Sequence, residues 1–238
     1  MGQPILIMGA NGGIGGALAS KLENQGEELI LTARDKENLS DFKGKILSVD
    51  VTDESSIERE IGALDLSEGL KGFAYCIGSI DLKPFGKTSV DDMLATYELN
   101  TLGAFRVLKY IEPALKQASG SVVLFSTIAA NSGFPSHSAI ASAKGALQGL
   151  TVTLAAEWAP KVRVNCIAPS LSETQIAKPM TSSEQMKDAI AKMHPIPRLG
   201  RAEDSANLAA FLLSDESAWM TGQILAMDGG RSTVRNRG

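Results

Sequence analysis

A short apolar run followed by closely spaced glycines limits the possible folds of this chain more than any other stretch. Residues 5–8 are Ile-Leu-Ile-Met, the unbroken apolar run of a strand buried on both faces of a parallel sheet. Gly9, Gly13 and Gly15 follow, and a helical pattern begins at Ala17. Such a strand, turn and helix expose backbone N–H groups at the helix N-terminus, where a diphosphate can approach closely. The stretch predicts either a diphosphate site or a tight turn that binds nothing.

The rest of the chain alternates strand-like and helix-like segments. Further strand patterns occur at 28–33, 45–49, 72–77, 121–126, 162–167 and 223–227. Helical patterns occur at 54–64, 90–118, 139–158 and 202–213. This alternation predicts an α/β fold with one domain over 1–238, a Rossmann-type doubly wound parallel sheet of about seven strands. Ligands of such sheets bind at the carboxyl ends of the strands, where the strand order reverses.

Composition excludes several classes of protein. The 238 residues are 44% hydrophobic and 21% charged, and the formal net charge is −4, so nothing favours nucleic acid or an anionic membrane as a partner. Cys76 and Cys166 are too few for a disulfide framework, and the first residues resemble no secretory signal, so a cytoplasmic location is expected. His137 and His194 lack metal-ligand spacing, so no metal site is expected.

Five motifs, in order and together spanning nearly the whole chain, resemble those of the short-chain dehydrogenase/reductase family. The first is the glycine-rich stretch 8–15, in which Met8 stands where the family has Thr. The others are Asp50-Val51, Asn100-Thr101-Leu102-Gly103, the segment 165–174 and the segment 220–230. The resemblance implies NAD(P)(H)-dependent chemistry on a small-molecule substrate. It also implies a homo-oligomer, a dimer or tetramer, paired through the helices that carry Asn100 and Lys144.

The same resemblance implies a set of cofactor contacts. They are Gly9, Asn11, Gly13, Ile14, Gly15, Arg34, Asp50, Val51, Cys76, Gly78, Lys144 and Thr174. Asp50 and Val51 correspond to the pair that contacts adenine, and Thr174 ends the segment that meets the nicotinamide carboxamide.

The end of the second strand bears on which dinucleotide is bound. An NAD site usually places a carboxylate there for the ribose hydroxyls, whereas a 2′-phosphate is met by an arginine. The acidic position falls on Ala33, and Arg34 follows directly, which favours NADP(H). The alternative is that Arg34 is a solvated loop cation and that Asp35 reaches the ribose.

The catalytic segment departs from the family. Hydride transfer to a carbonyl leaves a developing oxyanion, which needs a proton donor within hydrogen-bond reach. The family supplies a Tyr four residues before a Lys, and a Ser thirteen residues before that Tyr. Counting back from Lys144, the Tyr position holds Ile140 and the Ser position holds Thr127. Thr127 keeps a hydroxyl, but Ile140 cannot donate a proton.

Two other residues are candidates near the reacting centre. His137 lies seven residues before Lys144, the spacing at which the family's divergent enoyl-acyl-carrier-protein reductases place their Tyr. It is either the proton donor or a solvated residue at a helix edge. The glycine loop favours the second alternative, because it is unlike the loop of the enoyl reductases. Asn100 corresponds to the family's water-organising Asn, or it only kinks its helix.

Two segments near the carboxyl end complete the sequence expectations. Residues 171–197 correspond to the family's mobile substrate lid, and Met180, Met186 and Met193 within them either line an apolar pocket or pack as a helix stripe. The charges of Arg231, Arg235 and Arg237 are expected to be solvated in a terminal tail.

Two functions remain open from the sequence. The first is an NADPH-dependent oxidoreductase acting on a small carbonyl or an activated alkene. The second is a catalytically silent NADP(H)-binding protein, a redox sensor or a non-catalytic subunit of an oligomer. Ile140 favours the silent protein, whereas the retained Thr127, Lys144 and Thr174 favour the enzyme.

Overall fold

A seven-stranded parallel sheet forms the centre of the computed structural model, which describes residues 2–235. Its strands are β1 (Ile5–Met8), β2 (Leu29–Ala33), β3 (Lys45–Ser48), β4 (Gly72–Tyr75), β5 (Ser121–Phe125), β6 (Arg163–Pro169) and β9 (Ile224–Met227). Two short strands, β7 (Ser172–Glu173) and β8 (Gly200–Arg201), pair with each other outside this sheet.

Helices connect successive strands and cover both faces of the sheet. They are α1 (Gly13–Asn24), α2 (Glu54–Ile57), α3 (Val90–Tyr97), α4 (Gly103–Ala118), α5 (Ala129–Ser132), α6 (Ser138–Trp158), α7 (Glu184–Ala191) and α8 (Ala202–Leu213). Among the residues that the structure describes, no helix combines the length and apolar character needed to cross a membrane.

The strand order is β3-β2-β1-β4-β5-β6-β9, and every neighbouring pair is parallel. The chain builds outward from β1 in one direction and then returns to build from β4 in the other. The order therefore reverses between β1 and β4, which opens a crevice at their carboxyl ends. The predicted doubly wound Rossmann-type sheet of seven strands is confirmed.

Alternation along the strands divides the core into two layers. In β1, Leu6 and Met8 join the cluster on the face covered by α4 and α6, while Ile5 and Ile7 join the cluster covered by α1 and α8. All four side chains are at most 1% exposed. Because successive residues of a strand point to opposite faces, an unbroken apolar run supplies both layers at once.

Two segments differ in detail from the helical patterns in the sequence. The predicted helix 90–118 widens into a π-helical turn over Glu98–Leu102, between α3 and α4. The segment 171–197 contains β7, a 3-10 helix (Gln175–Met180) and α7. Both features shape the site described next.

Candidate active site

The turn between β1 and α1 is shaped for an anion. Gly9 has φ +77, and a Cβ on Gly15 would clash with the Gly9 carbonyl oxygen, so the turn is closed by glycines. The N-terminus of α1 has no side-chain cap and no acidic residue in its first turn. Its N–H groups and dipole are therefore left for a negatively charged ligand, and the residues fit a diphosphate.

A cleft of about 320 Å³ runs from this turn across the carboxyl ends of β1, β2 and β3. Ten of the predicted cofactor contacts line it: Gly9, Asn11, Gly13, Ile14, Arg34, Asp50, Val51, Cys76, Gly78 and Thr174. Gly15 lies behind the turn as a packing residue, and Lys144 lines the cavity next to this one.

Close packing at Gly13 brings two distant segments to the cleft. A Cβ on Gly13 would lie 2.6 Å from Cγ2 of Thr174, so only glycine allows the segment after β6 to approach α1 this closely. Thr174 therefore lies beside the first turn of α1, at the junction between this cleft and the next cavity.

The end of β2 places a cation at the far end of the cleft. Arg34 is exposed and lines the cleft, and its carbonyl oxygen accepts a hydrogen bond of 2.7 Å from the Ser48 hydroxyl on β3. Asp35 does not line the cleft. Its carboxylate accepts the Glu37 N–H at 3.0 Å and caps a 3-10 helix instead.

Asp50 faces the same end of the cleft as an ionised carboxylate. Hydrogen bonds from the Thr52 hydroxyl, at 2.7 Å, and the Thr52 N–H, at 2.9 Å, lower the pKa of Asp50, and the charge of Arg34 lowers it further. The opposite charges of Arg34 and Asp50 thus flank this end of the cleft.

A second cavity, of about 400 Å³, continues from the cleft past the carboxyl ends of β4, β5 and β6. Ile14, Cys76, Ile77, Gly78, Thr174 and Ile176 line both. Burial raises the pKa of the Cys76 thiol to about 12, so this junction carries a neutral thiol rather than a thiolate. Thr127, His137 and Lys144 line the second cavity, so the structure brings three of the four predicted catalytic residues together.

Lys144 is a buried cation in this cavity. The residue is 6% exposed, and among the described residues Nζ makes one hydrogen bond, which it donates to the Ile77 carbonyl oxygen at 3.5 Å. No carboxylate among residues 2–235 forms an ion pair with it. Desolvation lowers the pKa of Lys144 to about 8. The ammonium group therefore lacks strong acceptors, which the hydroxyls of a bound ribose would supply.

Two hydroxyl groups hold the turn of α6 that carries Lys144. Thr101 donates to the Ala143 carbonyl oxygen at 2.8 Å, and Ser126 donates to that of Lys144, also at 2.8 Å. Ser126 in turn accepts from the Gln148 side-chain amide at 3.0 Å. The π-helical turn and the end of β5 thus fix the position of Lys144 along the cavity.

Ile140 lies one turn before Lys144, as the sequence count predicts, and lines the cavity. It is 5% exposed and has no polar atom in its side chain. The Thr127 hydroxyl lines the same cavity and accepts from the Ala129 N–H at 3.2 Å, which leaves its own proton available for a ligand.

His137 directly precedes α6 and also lines the cavity. Its Nδ1 lies 2.7 Å from the Pro135 carbonyl oxygen, and because a carbonyl can only accept, Nδ1 is the donor. The ring packs against Phe134 with the centroids 5.5 Å apart. The ring of His137 is therefore held in place, and Nε2 is the ring nitrogen that has no hydrogen-bond partner among the described residues.

Asn100 does not line either cavity, unlike the other predicted catalytic residues. It is fully buried in the π-helical turn, where its amide nitrogen donates to the Thr96 carbonyl oxygen at 2.9 Å and to the Ser79 hydroxyl at 3.1 Å. A Cβ on Gly78 would lie 3.2 Å from both Asn100 Oδ1 and Lys144 Nζ. Asn100 thus braces the loop after β4 beside Lys144.

Sequence reasoning did not identify a pair formed by a hydroxyl and a buried imidazole in the cavity wall. Ser170, directly after β6, lines the cavity, and its hydroxyl lies 2.9 Å from His194 Nε2. His194 is 4% exposed, and its Nδ1 donates to the Ile190 carbonyl oxygen at 2.9 Å. Nothing local in the sequence links these residues, because α7 folds back to make the contact.

The expectation that Arg231 is a solvated tail charge is wrong. Arg231 is half-buried and lines the second cavity, with its guanidinium carbon 4.5 Å from the centroid of the Phe134 ring. Arg235 is exposed, as expected, and Arg237 lies outside the described residues.

Asp228 closes the turn that precedes Arg231, since its carboxylate accepts the N–H groups of Gly230 and Ser232.

Two of the three methionines of 171–197 take the first predicted role and line the apolar cavity, whereas the third lies on α7, which buries no residue. Met180 and Met193 line the second cavity, together with Ile190 of α7. Met186 points away, is 43% exposed and does not line the cavity. The segment therefore forms one wall of the cavity.

The parallel sheet, with its cleft at the carboxyl ends of the strands, places the chain in the class of Rossmann-type folds. The chain belongs to the short-chain dehydrogenase/reductase family: residues 9–232 match the sequence model of a family described as enoyl-(acyl carrier protein) reductase. Members of this family use NAD(P)(H).

Known relatives resemble the chain over nearly its whole length. A tropinone reductase homolog of Arabidopsis thaliana is 30% identical over 96% of this chain and 92% of its own length. A short-chain dehydrogenase/reductase structure from Mycobacterium ulcerans has a TM-score of 0.90 and 29% identity, covering 98% of this chain and 90% of that one. A structure of ElxO with NADP bound has a TM-score of 0.88 and 28% identity, covering 97% and 99%.

Proposed function

We propose that this protein is an NADPH-dependent oxidoreductase that reduces a small carbonyl compound or an activated alkene. The observation that carries the proposal is the continuity of the two cavities around Lys144, from the glycine turn at one end to Thr127 at the other. A diphosphate at the turn would direct an extended dinucleotide along this path, with its reacting end in the second cavity.

Arg34 and Asp35 support NADPH over NADH. Arg34 lines the cleft at the end of β2, where it can pair with a 2′-phosphate, while Asp35 is engaged in a helix cap and does not line the cleft. No carboxylate is thus available at this position for the ribose hydroxyls of NADH. ElxO, a relative in structure, is described with NADP bound.

The side chains around Lys144 suit reduction of a polarised double bond. When bound, the reduced nicotinamide supplies the hydride. Lys144 would hold the adjoining ribose, and Thr127 would donate its hydroxyl hydrogen to the oxygen that gains negative charge. We assign delivery of the proton to the imidazolium form of His137: Nδ1–H stays bound to the Pro135 carbonyl oxygen, and Nε2–H gives its proton to the substrate, which leaves a neutral ring.

A catalytically silent NADP(H)-binding protein is the second candidate, and Ile140 is the observation that favours it. Ile140 lines the cavity one turn before Lys144, where the family places its proton donor, and it offers no acidic group. Such a protein would bind the cofactor and respond to its redox state without turnover.

Single-turnover hydride transfer from NADPH distinguishes these candidates. We expect the unmodified protein to oxidise NADPH with some member of a panel of small aldehydes, ketones and enones, and His137→Ala to slow this step by about a hundredfold. An unchanged rate in His137→Ala would remove the assignment of the proton donor. Activity only after Ile140→Tyr would establish the silent protein instead.

A further inference from the structure

Arg231 is a cation that the mechanism above does not use. It follows the turn formed by Gly229 and Gly230, both of which have positive φ, and this turn sends its side chain back over the cavity. Gly230 packs closely there, since a Cβ on it would lie 3.1 Å from Cγ of Pro195. The position of Arg231 is therefore built by the backbone and is not the result of a loose tail.

The surroundings of Arg231 are apolar. Its guanidinium lies over the Phe134 ring at 4.5 Å, and Nη2 is 3.4 Å from the Met193 sulfur. Burial lowers the pKa of Arg231, which remains charged at any working pH because a guanidinium deprotonates only in strong alkali. The group has thus lost part of its hydration and gained only weak partners.

Acidic side chains among the described residues offset this charge only in part. Among the described residues, no carboxylate forms an ion pair with Arg231. Asp228 is the acidic neighbour whose charge reaches it, but the two carboxylate oxygens of Asp228 accept the N–H groups of Gly230 and Ser232.

The charge of the cavity as a whole is positive. Lys144 and Arg231 are the charged residues among the described side chains that line it, and no Asp or Glu does so. This is notable in a chain whose formal net charge is −4. Lys144 is committed to the cofactor in the proposed function, so Arg231 is the cation left for the substrate.

We propose that the substrate carries an oxyanion group, a carboxylate or a phosphate, and that Arg231 binds this group while the reducible bond lies near Thr127. The proposal rests on the proposed function, which it deepens by naming the substrate class. A planar guanidinium donates two parallel hydrogen bonds to such a group, and the apolar side chains beside it reduce the competition from water. Phe134 keeps the guanidinium in place from the other side.

Calorimetric titration of matched ligands tests this proposal without requiring turnover. Butanoate and hexanoate are compared with butanamide and hexanamide, and butyl phosphate is added as the phosphate source, each with and without saturating NADP⁺. We expect at least one anion to bind about tenfold or more tightly than its neutral counterpart. Whether a carboxylate or the phosphate binds more tightly identifies the source of the oxyanion.

Substitutions of Arg231 test whether this residue causes the preference for anions over amides. Arg231→Gln should abolish the preference for anions, and Arg231→Lys should reduce it, because lysine keeps the charge but not the paired donors. Arg235→Gln is the matched control, since it removes an exposed charge four residues further on that does not line the cavity, and it should leave the preference intact. A merely structural Arg231 would change stability without changing the ratio between acid and amide.

Several outcomes would overturn the proposal: equal binding of anion and amide, no binding of any anion, or a preference that survives in Arg231→Gln. The proposed function fails separately, if NADPH itself does not bind. Anion preference without NADPH binding would keep the role of Arg231 and remove the oxidoreductase.

Discussion

Lys144 is the residue on which the candidate site depends most, because it is a buried cation that forms no ion pair with a carboxylate among the described residues. Burial lowers its pKa to about 8 in the folded protein, from 10.5 in an unperturbed lysine. Between these values the unfolded chain binds more protons than the folded one, so the contribution of Lys144 to stability increases as the pH rises.

Lys144→Met should therefore change how stability depends on pH. We expect the difference in unfolding free energy, wild type minus variant, to rise by about 2 kcal/mol between about pH 7 and pH 10. Urea denaturation at several pH values measures it, with Lys161→Met as a control for loss of a surface charge. A difference that stays flat across this range would show that Lys144 is not desolvated as described.

Single residues also mark the limit of sequence reasoning. The position of Ile140 one turn before Lys144, in the same cavity wall, could be predicted because the helical repeat fixes the spacing between them. Arg231 could not, because its inward path depends on a turn whose positive φ angles and packing against Pro195 are set by distant segments. The pairing of Ser170 with His194 could not be predicted either, because it also depends on how segments distant in the sequence fold together.

At the scale of elements, the contacts that hold α6 against its neighbours fix the position of Lys144 in the cavity. The Ser126 hydroxyl at the end of β5 donates to the Lys144 carbonyl oxygen and accepts from Gln148, so it links strand and helix at the site. Thr101 makes the equivalent link from the π-helical turn to Ala143. These hydroxyls bind carbonyls that the helix already uses, and so add a tertiary restraint to a regular element.

Ser126→Ala should loosen this link. We expect a loss of about 1–2 kcal/mol in unfolding free energy, because a hydrogen bond is removed and the Gln148 amide loses its buried acceptor. NADPH affinity should fall as well, since the turn bearing Lys144 is less restrained. Ser142→Ala, which removes an exposed bond within α6 itself, is the matched control and should change stability by less than about 0.5 kcal/mol. Equal effects of both substitutions would argue against the restraint.

The elements themselves were largely predictable, and the exceptions have a physical cause. Buried strands such as β1 and β5 were predictable because a strand covered on both faces is built mainly from consecutive apolar residues. The π-helical turn Glu98–Leu102 was not visible, because one extra residue in a turn barely changes the helical pattern of apolar residues. Likewise α7 has no buried residue and therefore leaves little signal.

At the scale of the whole molecule, the outer faces of the helices offer a surface for self-association. Leu94 on α3 is 61% exposed, Phe105 on α4 is 45% exposed and Val152 on α6 is 53% exposed. Large apolar side chains on neighbouring exposed faces are typical of an interface. They lie on or next to the helices through which the resemblance implies pairing.

Val152→Glu should therefore reduce the mass of the particle in solution. We expect light scattering to give a dimer or tetramer for the unmodified protein and a smaller species for the variant, because an uncompensated charge would be buried at the interface. Phe105→Glu should act in the same direction. A monomeric unmodified protein, or an unchanged mass in both variants, would show that these side chains are only exposed.

The central claim is that the cleft and the second cavity together hold one extended NADPH molecule. Isothermal titration of NADPH and NADH into the unmodified protein and into Arg34→Ala tests this claim most directly. We expect one NADPH per chain, bound about tenfold or more tightly than NADH, and a loss of that preference in Arg34→Ala. The absence of binding by either nucleotide, or equal affinities in the unmodified protein, would contradict it.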